Sequence, residues 1–177
     1  MGLIEHTVRW CQGEIFEGKM IVLAAIAVSL VGFSFWKFGT TEYAKSIFIP
    51  FLFVGVLLGG LGTTLITSNP KRIVTFQEAY NQDPIAFVKS EKIRTDAFIS
   101  WYPKTLWILV VVGTLAMIGY GLTLRALPNS ISLALLLVCF MGLMIDHFSK
   151  ERAFVYAKEI EAEAQRLGVS LSSDKTQ

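Results

Sequence analysis

The sequence predicts an all-α, polytopic membrane protein with four transmembrane helices in two hairpins, both termini cytoplasmic and the fourth helix extended into the cytoplasm. Three observations predict it. Residues 20–36, 46–70, 105–124 and 126–145 form runs of 17, 25, 20 and 20 residues without a charged side chain. A hydrocarbon core about 30 Å thick needs roughly 20 apolar residues of helix, because lipid offers backbone amides and carbonyls no partner outside their own segment. Of 177 residues, 53% are hydrophobic and 17% charged, which leaves no room for a large independent soluble domain. Finally, of 16 Lys and Arg residues only Lys37, Lys45 and Arg125 lie in the loops between paired runs, and the other thirteen lie in the N-terminal stretch, the central segment and the tail. Basic residues accumulate on the cytoplasmic side, so the sequence places both termini and the central segment there, in the cytoplasmic (inner) membrane.

Residues 1–19 read as an interfacial segment. Leu3, Ile4, Val8, Trp10, Ile15 and Phe16 alternate with charged residues, as in a short in-plane helix interrupted near Gly13. The run that follows is expected to stay attached as a helix. Glu5, Glu14 and Glu17 dilute the positive region a signal peptide needs, and bulky Trp36, Lys37 and Phe38 stand where small residues precede cleavage.

Residues 20–68 form the first expected hairpin. Its second span carries Gly55, Gly59 and Gly62 with Thr63, Thr64 and Thr67, a face nearly free of bulk that allows close backbone approach. That face suits packing within the chain, with Gly113, Ala116 and Gly119 of the third span as a natural partner, or self-association around a pore.

The central segment, 69–104, reads as two short helices. Ile73, Phe76 and Tyr80 share one side of the first, Asn81 and Gln82 break it, and Asp83-Pro84 is a helix start with a capping carboxylate and a first-turn proline. The second helix runs towards Trp101 until Pro103 redirects the chain. Phe76, Tyr80, Phe87, Arg94 and Phe98 are the candidate docking residues for a soluble partner, the alternative being a hairpin that anchors the spans at the headgroups.

Residues 105–148 make the second hairpin and 149–177 a cytoplasmic helix with a frayed tail. No proline or glycine interrupts the chain from Asp146 to Leu167, so the fourth helix continues past the membrane until Gly168. Phe154, Ala157, Ile160, Ala164 and Leu167 form an apolar stripe for packing on the central segment or on another protomer, while Glu159, Glu161 and Glu163 mark the wet side. Asp146 and His147 sit where acid, imidazole and base crowd at an aqueous boundary, as a candidate gate or simply a hydrated helix end.

Charge-free spans disfavour proton-coupled transport, which needs an ionisable group at membrane depth. The sequence carries no nucleophile elbow, phosphate-cradling glycine loop, HExxH or paired-Cys motif, so neither enzymatic activity nor a cofactor is expected. His6 and His147 belong to no ligand-spaced cluster, and Cys11 and Cys139 lie too far apart in depth to bridge. Basic and acidic residues nearly balance in the aqueous pieces, so no direct nucleic-acid binding is expected. The expected partners are the lipid bilayer, further copies of the chain and a soluble cytoplasmic protein. The function expected is a homo-oligomeric membrane scaffold or sensor. The alternatives are an oligomeric pore or depolarising effector, of the kind used in stress or phage defence, and an accessory subunit of a membrane complex.

Overall fold

The computed structural model of the protein describes residues 2–171. Those residues are helical apart from short connections: α1 (Leu3–Phe38), α2 (Glu42–Ser46), α3 (Phe48–Gln82), α4 (Pro84–Leu122) and α5 (Ala126–Arg166). The four long helices are each apolar enough over one half to cross a membrane. Each also runs well beyond that half. At 1.5 Å per residue the 36 residues of α1 and the 41 of α5 extend about 54 and 62 Å, nearly twice the thickness of a hydrocarbon core. The molecule therefore has an apolar half and a polar half built from the same four helices.

The expected interruptions near Gly13 and at Pro103 are absent. The helix passes through Gly13, Pro70 and Pro103 without a break, so the expected in-plane N-terminal helix is the first half of α1, and the central segment is the end of α3 joined to the start of α4. A proline inside a helix removes one backbone donor and tends to bend the axis, and packing on both sides can outweigh that. Beside Pro70, the side chain of buried Asn69 donates to the Leu65 carbonyl at 2.8 Å, and the carbonyl that the proline leaves without its amide donor is that of Ile66. The break at Asp83 is present. Asp83 is extended, its carboxylate accepts from the Ala86 amide at 2.9 Å, and Pro84 opens α4.

In the apolar half α1 packs antiparallel on α3. A Cβ placed on Gly62 would stand 2.6 Å from the Gly18 carbonyl, and one on Gly18 would stand 2.8 Å from the Gly62 carbonyl, so only glycine permits this approach. Farther along, Gly32 meets Phe51 in the same way. α4 lies on α5, with Gly113 against Cys139, Gly119 against Ser132 and Gly142 against Leu109. Core side chains Ile21, Ala25, Phe51, Val54 and Leu58 join Ala134 of α5, and Ser46 and Ser130 hydrogen-bond at 2.6 Å, so α5 touches both pairs. The apolar half of α4 touches mainly α5, and most of its side chains face outward.

The polar half has its own core. Leu3 and Trp10 of α1, Phe87 and Val88 of α4, and Tyr156, Ile160 and Ala164 of α5 are buried together, with Phe76 and Tyr80 of α3 packed against them. Beyond α5, Gly168 adopts a φ of 67° and the Val169 amide reaches back to the Ala164 carbonyl at 2.9 Å, a left-handed glycine stop. Residues 172–177 of the expected polar tail lie outside the described residues.

Candidate functional site

The polar half closes around a buried chain of polar side chains that joins three helices. The Thr7 hydroxyl of α1 stands 3.0 Å from the Leu3 carbonyl and 2.9 Å from the Tyr156 hydroxyl of α5, and its single proton is shared between those two acceptors. The Tyr156 hydroxyl donates to Glu91 Oε2 of α4 at 2.8 Å. Arg94, one turn beyond Glu91, grips both carboxylate oxygens at 2.9 and 2.6 Å and lies 4.6 Å over the Trp10 ring. Glu91 is 3% exposed and Tyr156 2%. A buried carboxylate persists only where its lone pairs are taken, and here a guanidinium and a phenol take them. Burial first and the Glu91 charge second push the Tyr156 hydroxyl far above its ordinary pKa. It stays protonated as a donor.

Other pairs repeat this pattern around the network. Arg152 of α5 pairs with Glu17 of α1, Arg72 of α3 reaches Glu14 of α1 at 3.4 Å, and Lys92 of α4 holds Glu161 of α5 at 3.0 Å. Tyr80 of α3 donates to Glu163 of α5 at 2.6 Å, and Arg166 reaches the same oxygen at 2.6 Å. The hydrogen bond to Glu163, then burial, raises the Tyr80 pKa. Beside Glu14, burial pushes the Cys11 thiol up to about 11. A cavity of about 300 Å³ opens between α1 and α5, lined by His6, Arg9, Trp10, Arg152 and Tyr156. Among the described residues no three His, Cys, Asp or Glu side chains converge as a metal site would require.

The residues expected to dock a partner are mostly used inside the chain. Phe87 is buried, and the rings of Phe76 and Tyr80 stand edge-on to it with centroids 6.0 and 5.6 Å away. Arg94 is committed to Glu91. Of that set Phe98 is exposed, at 38%, while also touching Trp10 and Tyr102. Phe87 is thus withdrawn into the core, while Phe76 and Tyr80 pack against it and stay half-buried. In the stripe of α5, Ala157, Ile160 and Ala164 are buried and Leu167 packs against the same core, whereas Phe154 turns out and is 45% exposed under Lys150. Glu163, expected on the wet side, is buried at 6% exposure, because Tyr80 and Arg166 satisfy it.

The glycine face divides. Gly55 and Gly62 pack on α1, against Ser29, Ala25, Gly18 and Val22, and Gly59 lies beside Ala25. The expected partner in the third span is corrected: Gly113 and Gly119 face α5. Thr63, Thr64 and Thr67 point outward, and the hydroxyls of Thr64 and Thr67 return to carbonyls of their own helix at 2.9 Å. Asp146 is half-buried, whereas exposed His147 turns to Glu151 at 3.5 Å, so the two candidate gate residues diverge.

Glu91, Tyr156 and Thr7 were not legible as site residues from charge alone. Spacing held a signal, since Phe87, Val88, Glu91 and Thr95 recur at three and four residues, as do Ala153, Tyr156, Ala157 and Ile160. A polar residue inside such a stripe marks a buried, partnered group. Comparison with protein-family models, with curated proteins and with solved structures finds no match, so the function rests on the chain's own residues.

Proposed function

We propose that the chain is a multi-pass protein of the cytoplasmic membrane whose polar half stands in the cytoplasm as a scaffold or sensor head for a soluble protein. Its two helix pairs then act as transmembrane hairpins with both termini inside, as the distribution of Lys and Arg favours. The observation that carries this reading is that the polar half has a core of its own. Connections between membrane helices need only a few residues, yet this half has an aromatic core and a buried network joining three helices. A head with its own core leaves its outer surface free for recognition. Phe154, Val155 and Ile93 are among the large apolar side chains exposed there, at 45, 57 and 72%. The proposed role is binding rather than catalysis, and assembly into a homo-oligomer would multiply the docking surface.

The test is mass spectrometry of what co-purifies, in mild detergent from the native host, with the chain tagged at its C-terminus. A stoichiometric soluble companion that is lost in a Phe154→Ala/Ile93→Ala variant supports the reading. A clean homo-oligomer without companion contradicts it and moves the weight to a pore, for which the outward Thr63, Thr64 and Thr67 would supply the lining. Conductance of the reconstituted oligomer would then decide.

A further inference from the structure

We propose that the cavity between α1 and α5 in the polar half is a binding site for a small organic anion, one with a carboxylate or phosphate group on an apolar body. Two helix faces meet there. His6, Arg9, Trp10 and Gly13 recur at spacings of three and four along α1, as do Arg152, Val155 and Tyr156 along α5. The space between them is about 300 Å³, at the lower end of the roughly 300 to 1,000 Å³ typical of small-molecule sites. Gly13 shapes one side. A Cβ there would stand 3.1 Å from Arg152 Cδ, so its absence lets the Arg152 stem lie across α1 towards Glu17.

The carboxylates around the cavity are already engaged. Glu17 holds Arg152, Glu159 lies 3.5 Å from His6, Glu151 turns to His147 at 3.5 Å, and Glu91 takes the Tyr156 proton. Three donors are left over on side chains that line the space. Arg9 is exposed and, among the described residues, makes no ion pair. Trp10 Nε1 and Arg152 Nε are buried N–H groups without an acceptor among those residues, and Trp10 as a whole is 6% exposed. Native proteins rarely leave buried donors unmatched, so spare donors beside spent acceptors call for an acceptor from outside the chain. The Trp10 and Tyr156 rings, with centroids 4.5 Å apart, and Val155 give the wall apolar surface for the body of the ligand. A cation would face Arg9 with like charge, and a hydrocarbon would leave the donors unmet. Tyr156 belongs both to this wall and to the network with Thr7 and Glu91, so an occupied cavity bears directly on the joint between α1, α4 and α5.

The inference names a ligand class for a sensor head and requires no protein companion. It is tested on the full-length chain in mild detergent, by isothermal titration calorimetry with benzoate, phenyl phosphate and, as an uncharged body, benzyl alcohol. Benzoate or phenyl phosphate should saturate one site at roughly millimolar concentration or below, and the tighter of the two assigns the charged group. Benzyl alcohol should bind at least about tenfold more weakly, and Arg9→Gln should weaken the anion by about tenfold or more, because each lacks one partner of a charge-assisted contact. Val155→Trp, at an exposed position, fills the cavity and should abolish binding, whereas Lys89→Gln, exposed on α4, should leave it unchanged. Absence of saturable binding for both anions overturns the proposal. So does benzyl alcohol binding equally well, undiminished binding in Arg9→Gln or Val155→Trp, or a loss in Lys89→Gln. Anion binding by a chain that brings down no soluble protein would contradict the docking role and leave this site standing.

Discussion

The same four helices are held together in two different ways along their length. In the apolar half, glycines let backbones touch, as at Gly18 and Gly62, and α4 has little neighbour besides α5. In the polar half, all four helices share a core, and charged or polar side chains from α1, α3, α4 and α5 bridge across it. Lipid tails are as apolar as leucine, so burial drives nothing between membrane helices and close packing must supply the attraction. Water supplies that drive in the polar half, where the buried aromatic residues give cohesion and the polar network gives register. Shape thus fixes helix pairs in one half, and chemistry fixes the bundle in the other.

Glu91→Ala gives the largest expected effect. It strips Tyr156 and Arg94 of their shared acceptor inside the core and should destabilise the chain by about 3 kcal/mol, read from thermal unfolding in detergent. Gly62→Val should cost about 2 kcal/mol by forcing α3 off the α1 backbone, while Gly60→Val, whose side chain would enter open space, should stay within about 0.5 kcal/mol of wild type. Equal losses at Gly62 and Gly60 would break the shape account of the apolar half. Tyr156→Phe keeps the ring against Trp10 and removes only the hydroxyl, for an expected loss of about 1 kcal/mol.

Cys11 probes the polar half without a stability readout. Its thiol is raised from 9.0 to about 11 in the fold, so near pH 8 the thiolate is about 100-fold scarcer than in an unfolded chain. Alkylation at pH 8 should be at least that much slower in the folded protein than in denaturant. Because the folded pKa is the higher one, the stability linked to this proton is complete below pH 9 and is lost as pH rises through 9 to 11. A thiol that reacts at the unfolded rate would show that the polar half is open.

The spans were legible because one constraint, backbone pairing in lipid, dominates and writes itself as charge-free runs. The stop at Gly168 and the start at Asp83-Pro84 were legible for an equally local reason, since each is set by a backbone angle or a cap within three residues. Helix continuity through Gly13, Pro70 and Pro103 was not, because local propensity argues against it and only packing by distant segments overrides that. The buried carboxylates misled in the same way. Glu163 reads as solvated until Tyr80, 83 positions earlier, is seen to donate to it, and Glu91 until Tyr156, 65 positions later, does the same. Aromatic residues beside basic ones read as a docking surface, yet the same pairing closes a core when an arginine such as Arg94 stacks on Trp10.

The central claim, that the polar half stands in the cytoplasm on four spans, is tested most directly by labelling single cysteines in intact cells with a membrane-impermeant maleimide. Cys11 and Cys139 are buried and provide a quiet background, and Lys158 and Glu42 are exposed at opposite ends of the molecule. The account predicts that Glu42→Cys is labelled from outside and Lys158→Cys only after the membrane is permeabilised. Labelling of Lys158→Cys in intact cells would contradict it.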